Sequence, residues 1–365
     1  LLHQNNLMHY YTQLNKHLKT SIGLGYHSHN NFQMAYANCI EMLSHETERM
    51  VLVDGTIYGM GKSAGNAPLE LLAMHLNHNY GKHYDISQIL EAVDANVMPI
   101  YKMTPWGYNM FFFIAASNDC HPNYVSYLMD KRTLSVKSIN EILAKLTGEK
   151  QLMYDQKLIE KLYLDYQDIE VNDDADVKAL TELFRGREVL LLGPGQNVQK
   201  QLDKIEAYIA KKAPLIVTIN FISGEFKSDY VFLSNAKRYV QLATALLKNP
   251  ELQVIATSNV TKTDGRFDYT LQYSSLLDMD AEIIDNSFIM LLKVMKKIGV
   301  THVALGGFDG YTGDKKQNYI NGYVEYSFTK TQAKELNAYV AGVLKSMKDE
   351  LDMEFITDSL YTEEA

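Results

Sequence analysis

The sequence predicts an α/β protein with parallel strands, in which two segments of strand–helix alternation flank a mostly helical stretch. The first alternating segment ends near residue 80, and the second begins near residue 188. Alternation of this kind places successive strands parallel to one another. The nearly continuous apolar run at 50–53 is typical of a parallel strand that is buried on both faces.

Three domains follow from this pattern, over residues 1–103, 104–172 and 173–365. In the first, residues 5–18 carry apolar side chains at helical spacing. The pattern then predicts a strand, a helix, a second strand and a third helix, at 21–29, 30–45, 49–59 and 66–80. The segment 104–172 is mostly helical, and an acidic stretch leading into an amphipathic helix marks the boundary before the last domain.

The last domain has the pattern of an open, doubly wound α/β sheet. Its predicted strands lie at 188–193, 215–221, 229–234, 253–258, 269–274 and 301–307. Predicted helices between them include 196–212, 235–248 and 286–298.

Composition excludes several classes of function. The net charge of −9 argues against a nucleic-acid binder, because no large excess of Lys and Arg exists to neutralise phosphates. No apolar run reaches the length of about 20 residues that a membrane span needs. Two cysteines cannot form a disulfide framework, so we expect a cytoplasmic protein. We also expect a homo-oligomer.

His27 and His29 are the first candidate site residues. Residues two apart in a strand point to the same face, so the two imidazoles project together at the carboxyl end of their strand. Such a pair is a common platform for a divalent metal. Two histidines hydrogen-bonded in a polar turn would have the same spacing, and the spacing alone leaves both interpretations open.

The loop that follows the second strand is rich in glycine. Gly61 and Gly65 lie between a buried strand and a helix, with Asn66 at a plausible N-cap position. Glycine lets backbone approach a ligand closely, and a helix start favours a bound carboxylate. A simple glycine-rich connector fits the same pattern equally well.

Together, "GYHSHNNFQMAYANCIEM" (25–42) and "VDGTIYGMGKSAGNAPLE" (53–70) resemble the HMG-CoA-lyase-like metal-dependent aldolases, a superfamily that includes 4-hydroxy-2-oxovalerate aldolase. The resemblance implies the last two strands of a TIM barrel that binds Mn or Mg. It also implies that His27 and His29 are metal ligands, that Asn66 is a further ligand, and that the substrate is a 2-oxo acid such as pyruvate. The implied reaction is cleavage or formation of a carbon–carbon bond.

The resemblance extends only over about residues 1–118, and it departs from the family in two ways. The family's first-strand Asp ligand and neighbouring Arg have no counterpart, so the chain is interpreted as a fragment of a longer protein or as a degenerate remnant. The abrupt start "LLHQNN" favours a fragment. Lys62 stands where synthases of the superfamily often have Glu, which favours aldolase chemistry. No residue is identified as the catalytic base.

Polar residues follow the predicted strands of the last domain. Gly193 and Gly195 lie in a strand–turn–helix motif whose backbone N–H groups could bind phosphate. A tight turn that binds no ligand fits the same pattern equally well. Asn220 and Asp309 follow two further strands, at the edge where open sheets bind ligands.

The order GPG…TIN…SDYVFLSNAKRY…DNSFIMLLKVMKKIGVTHVALGGFDGY is similar to Rossmann-like domains of hydroxymethylpterin diphosphokinase-like and sialyltransferase-like proteins. That similarity implies a nucleotide or nucleotide-sugar ligand, with Asn286 and Asp309 lining its site. The main hypothesis is therefore a metal-dependent lyase fused to a nucleotide-binding domain. The alternatives are a nucleotide-dependent transferase in glycan synthesis, with the barrel segment as scaffold, and a non-catalytic assembly protein.

Overall fold

The computed structural model describes residues 4–279, 281, 283–320 and 330–362. The chain divides into two compact units: Leu1–Lys131 with Lys137–Glu160, and Arg132–Val136 with Lys161–Ala365. Among the described residues, no helix is both long enough and apolar enough to cross a membrane. The prediction of three domains stays untested.

The first unit begins with two short parallel strands and the helices that flank them: α1 (Gln4–His17), β1 (Leu24–Tyr26), α2 (Ala35–Ser44), β2 (Val51–Val53) and α3 (Leu69–Tyr80). Leu24 pairs with Val51, and Tyr26 pairs with Val53. Leu24 and Tyr26 are buried in a core that α1, α2 and α3 supply. Because side chains alternate along a strand, the opposite face carries Gly25 and the half-exposed Leu52.

Arg49 holds the end of α1 in place. Its buried guanidinium donates to the carbonyl oxygens of Leu18, Lys19 and Ile22 at 2.6, 2.5 and 2.8 Å. It also donates to both the backbone and the side-chain oxygen of Asn15. Of these carbonyl groups, that of Asn15 belongs to the last turn of α1, where carbonyl groups have no partner within the helix, and the others belong to the segment between α1 and β1.

The residues after α3 are helical, as the sequence predicts. One continuous helix is formed by α4 (Ile86–Ala92), a π-helical turn (Val93–Val97) and α5 (Met98–Met103), and it is followed by α6 (Met110–Ser117), α7 (Pro122–Asp130), α8 (Val136–Leu143), α9 (Glu149–Leu152) and α10 (Gln156–Gln167).

The second unit is built on a seven-stranded parallel sheet. Its elements are α11 (Asp174–Phe184), β3 (Val189–Leu192), α12 (Asn197–Lys200), α13 (Leu202–Lys212), β4 (Leu215–Ile219), β5 (Tyr230–Leu233), α14 (Ala236–Lys248), β6 (Gln253–Thr257), β7 (Tyr269–Leu271), α15 (Ser287–Lys297), β8 (His302–Gly306), α16 (Lys315–Asn318), α17 (Lys330–Met347) and β9 (Asp352–Phe355). The strand order is β7-β6-β5-β4-β3-β8-β9.

Helices cover both faces of this sheet. Side chains of α11, α15 and α17 pack on the face that carries Leu191, Val217 and Phe232. Side chains of α13 and α14 pack on the other face, against Leu190 and Val231 among others. The chain runs outward from β3 in one direction as far as β7 and then returns to place β8 on the other side of β3. The strand order therefore reverses between β3 and β8.

The predicted α/β architecture with parallel strands is confirmed. In the second unit, all six predicted strands are present, and β9 is a seventh that the pattern does not predict. The predicted strand 21–29 is shorter than expected, because regular pairing ends at Tyr26 and resumes only as an isolated bridge at His29. We predict from the sequence that the second unit binds a ligand as Rossmann-like domains do, and this stays a prediction.

Candidate functional site

His27 and His29 lie side by side on the exposed side of the β1 segment. Their ring centroids are 5.0 Å apart, with the ring planes nearly perpendicular. Tyr26 and Ser28 point the other way into the core, where their hydroxyl oxygens are 3.0 Å apart. The alternation of the strand therefore continues past its last regular pair and brings both imidazoles to one surface, as the sequence predicts.

Asp54 contacts the first of these histidines. The Nδ1 atom of His27 lies 3.3 Å from Oδ2 of Asp54, which follows β2 directly. A carboxylate in this position favours the tautomer that carries its proton on Nδ1, and this leaves the Nε2 lone pair available to a ligand. Asp54 is not among the predicted site residues, although its position directly after the second predicted strand was a usable signal.

His29 is biased towards its neutral form. Burial lowers its pKa below the ordinary value of 6.5, and the neighbouring His27 lowers it further. A metal binds only an unprotonated imidazole, so a lowered pKa reduces the competition from protons.

The glycine-rich loop places Asn66 next to His29. The two residues pair in an antiparallel bridge, and the N–H of Asn30 donates to the carbonyl oxygen of Gly65 at 2.9 Å. Residues directly opposite in such a bridge project to the same face. The Asn66 amide nitrogen donates to the Met60 carbonyl oxygen at 3.1 Å, whereas its Oδ1 is buried and has no hydrogen-bond partner among the described residues.

Gly65 and Gly61 are required by the packing of this loop. Gly65 has a φ of +78°, and a Cβ atom added there would lie 2.2 Å from the carbonyl oxygen of Gly59. A Cβ atom at Gly61 would lie 2.6 Å from the Asn66 amide nitrogen. Both glycines therefore set the position of Asn66, and their predicted contact with substrate stays untested.

The donor set suits part of a divalent metal site. Asn66 lies opposite His29 in the bridge, so its side chain projects to the face that carries the two imidazoles. Imidazole and carbonyl oxygen are both ligands of divalent metals. Among the described residues, however, no group of three or more His, Cys, Asp or Glu side chains is arranged to hold a metal ion. The remaining coordination positions would fall to water, to substrate or to groups beyond these three.

The second polar cluster lies at the carboxyl edge of the seven-stranded sheet. The turn after β3 packs directly on the turn after β8, because the N–H groups of Gly193 and Gly195 donate to the carbonyl oxygens of Gly306 and Gly307, each at 2.9 Å. A Cβ atom at Gly195 would lie 2.5 Å from the Gly307 oxygen, so close backbone packing accounts for this glycine.

Asp309 closes the same turn. Its Oδ2 accepts the Asn197 N–H at 2.8 Å, and its Oδ1 is buried without a hydrogen-bond partner among the described residues. Burial raises the pKa of Asp309 to about 6, although the N–H groups of Asn197 and Gln196 and the ammonium of Lys200 favour the ionised form.

Asn220 and Asn286 also lie at this edge. Asn220 follows β4 with a φ of +59°, and its amide nitrogen donates to the Ser287 hydroxyl at 3.0 Å. The Ser287 hydroxyl lies 2.7 Å from the hydroxyl of Ser234, at the end of β5. Asn286 caps α15 by accepting the N–H groups of Phe288 and Ile289. The nucleotide contacts predicted for Gly193, Gly195, Asn220, Asn286 and Asp309 stay a prediction.

Residues 2–95 match a protein-family model described as HMGL-like. The 4-hydroxy-2-oxovalerate aldolase of Thermomicrobium roseum is 33% identical over 88 residues, which are 24% of this chain and 24% of the relative. The enzyme of the same name from Spirochaeta aurantia is 42% identical over 80 residues, 21% of this chain and 23% of the relative. An oxaloacetate decarboxylase of Mycobacterium tuberculosis is 29% identical over 92 residues, 24% of this chain and 26% of the relative.

These similarities support the HMGL-like superfamily for the first part of the chain, which contains the histidine pair and the glycine-rich loop. The family model ends at residue 95 and does not reach the seven-stranded sheet. The chain spans about a quarter of the length of these curated relatives.

Proposed function

We propose that the first unit contributes to a divalent-metal-dependent lyase that cleaves or forms a carbon–carbon bond in a 2-oxo acid such as pyruvate. The observation that carries this proposal is the pair of imidazoles with centroids 5.0 Å apart, together with Asn66, which pairs with His29 in an antiparallel bridge. The similarity of this segment to aldolases supports it.

These three residues would hold Mn²⁺ or Mg²⁺. When bound, the ion would supply Lewis-acid polarisation of the 2-oxo group. Asp54 contacts Nδ1 of His27 and favours the tautomer with its proton there, and the lowered pKa of His29 disfavours protonation of that imidazole. The backbone of Gly65 holds the loop against Asn30, which keeps Asn66 opposite His29.

Exchange of the methyl protons of pyruvate with deuterated solvent tests this proposal. We expect the chain to catalyse exchange, followed by NMR, only when Mn²⁺ or Mg²⁺ is added. His27→Ala and His29→Ala should abolish the exchange, and His83→Ala, which removes an exposed histidine elsewhere in the same unit, should leave it intact. Exchange that persists in the first two variants, or no exchange with metal present, would exclude the proposal.

A second function is proposed for the seven-stranded sheet, namely binding of a nucleotide or nucleotide-sugar, as in a transferase of glycan synthesis. Two buried oxygen atoms, Oδ1 of Asn220 and Oδ1 of Asp309, favour it, because neither has a hydrogen-bond partner in the part of the chain that the structure describes. Both residues follow strands that flank β3, and ligands of open parallel sheets bind at this edge, where the strand order reverses. A homo-oligomeric assembly and a cytoplasmic location are also proposals.

A further inference from the structure

We propose that the seven-stranded sheet recognises its ligand through the ribose hydroxyls, bound by Asn220 and the Ser234–Ser287 pair, and not through phosphate held by the turn after β3. This inference deepens the second proposed function and rests on it. It is independent of the lyase proposal, because none of its residues belongs to the first unit.

The hydrogen bonds of the three side chains leave the amide oxygen of Asn220, its second amide N–H and one serine proton unused. The amide nitrogen of Asn220 donates to Ser287, and its buried Oδ1 has no donor within the described ranges. Ser234 and Ser287 share one hydrogen bond at 2.7 Å, in which either oxygen can donate. Two hydroxyl groups carry two protons, and this bond uses only one of them. Whichever serine donates, the other proton has no acceptor among the described residues.

A ligand hydroxyl is the simplest group that complements this arrangement. It can donate to Oδ1 of Asn220 and accept the remaining serine proton at the same time. Ser234 is only 2% exposed, so a missing hydrogen bond here has a higher free-energy cost than at the protein surface. A vicinal diol such as that of ribose presents two such hydroxyls on adjacent carbons.

The turn after β3 offers little to a phosphate. A phosphate at a strand–turn–helix motif needs free backbone N–H groups. Here the N–H groups of Gly193 and Gly195 donate to carbonyl oxygens of the turn after β8, and the N–H of Asn197 donates to the carboxylate of Asp309. An acidic side chain of the same chain thus occupies the position that an anion would take.

Asp309 provides a second acceptor on the far side of β3. Because β4 and β8 flank β3, the ends of these two strands lie two strand spacings apart, or about 10 Å. That separation suits a nucleoside whose ribose contacts Asn220 while an N–H group of its base donates to Asp309, whose buried Oδ1 accepts no hydrogen bond from the residues that the structure describes.

Calorimetric titration of the full chain with the four ribonucleosides, their 2′,3′-dideoxy analogues and inorganic pyrophosphate tests the inference. We expect one ribonucleoside to bind, its dideoxy analogue to bind roughly fivefold to tenfold more weakly, and pyrophosphate not to compete. Asn220→Gly and Ser287→Ala should remove the difference between the ribonucleoside and its analogue. Glycine keeps the positive φ of Asn220, so the backbone is preserved in this variant.

Ala213→Gly is the matched control, because Ala213 also has a positive φ, of 46°, and is exposed at the end of α13, away from the carboxyl edge. It should bind like the wild type. Pyrophosphate that competes, or a dideoxy analogue that binds as tightly as the ribonucleoside, would overturn the inference and leave the second proposed function intact. If no nucleoside, and no nucleotide or nucleotide-sugar in a parallel titration, binds at all, both fail.

Discussion

The glycine-rich loop should tolerate no side chain at Gly65. Alanine at a left-handed φ costs about 1–2 kcal/mol. The added Cβ would also lie 2.2 Å from the Gly59 carbonyl oxygen and 3.2 Å from Cδ1 of Trp106. Forcing an atom into a packed site costs a further 1–3 kcal/mol or so. We therefore expect Gly65→Ala to lower the free energy of unfolding of the first unit by about 2–5 kcal/mol.

Gly81→Ala is the matched control for this substitution. Gly81 ends α3 with a φ of +62°, and a Cβ atom there would meet nothing within 4 Å. Only the conformational cost of about 1–2 kcal/mol applies. Urea unfolding followed by tryptophan fluorescence measures both variants, because Trp106 is the single tryptophan of the chain and lies in the first unit. Equal destabilisation by the two substitutions would refute the packing account of the loop.

Further predictions concern Arg49, Asp54 and Asp309. Arg49→Lys should lower the stability of the first unit by about 2–4 kcal/mol in the same urea assay, because an ammonium group has three N–H donors and cannot replace all five hydrogen bonds of the guanidinium. An unchanged midpoint of urea unfolding would contradict this prediction. Asp54→Asn should weaken Mn²⁺ binding about tenfold through loss of the His27 contact, and equal binding would show that the contact does not orient the ring. Burial raises the pKa of Asp309 to about 6, above its ordinary value of 3.8, so folding favours the protonated form. The stabilisation by the protonated Asp309 is fully present below pH 3.8 and is lost as the pH rises through 6. The loss amounts to at most about 3 kcal/mol of the free energy of unfolding. The free energy of unfolding, measured by circular dichroism at several pH values, should show this loss in the wild type and not in Asp309→Asn. Parallel pH profiles of the two proteins would refute the prediction.

The strands of the second unit could be predicted because most of them are apolar runs buried on both faces. The β3 segment "VLLL" and the β4 segment "LIVTI" are entirely buried. In contrast, β9 (Asp352–Phe355) lies at the edge of the sheet, pairs only with β8 and alternates between exposed and half-buried residues. A four-residue segment with two acidic side chains carries no local signal for a strand, and its pairing with β8 depends on tertiary structure.

The histidine pair could also be predicted, because its geometry follows from the two-residue period of a strand. The position of Asn66 could not be predicted from this period. It depends on the path of the loop, in which Tyr58 and Ser63 adopt left-handed conformations that these residue types rarely take. Motif resemblance, not local propensity, indicated that Asn66 belongs with the histidines.

The turn after β3 shows a second limit of sequence patterns. Two glycines between a strand and a helix are typical of a phosphate-binding loop. In this chain the N–H groups of that loop bond to residues more than 100 positions away, including Asp309, whose Oδ2 accepts from Asn197 across 112 residues. A local motif does not reveal that its donors are already used by a distant segment.

The metal-binding role of the histidine pair is the claim on which the lyase proposal depends. Titration of Mn²⁺ into the 365-residue chain, followed by electron paramagnetic resonance, tests it most directly. We predict one Mn²⁺ per chain, bound at least tenfold more weakly by His27→Ala and by His29→Ala and equally well by His83→Ala. Mn²⁺ affinity that is the same in all three variants and the wild type would contradict the account.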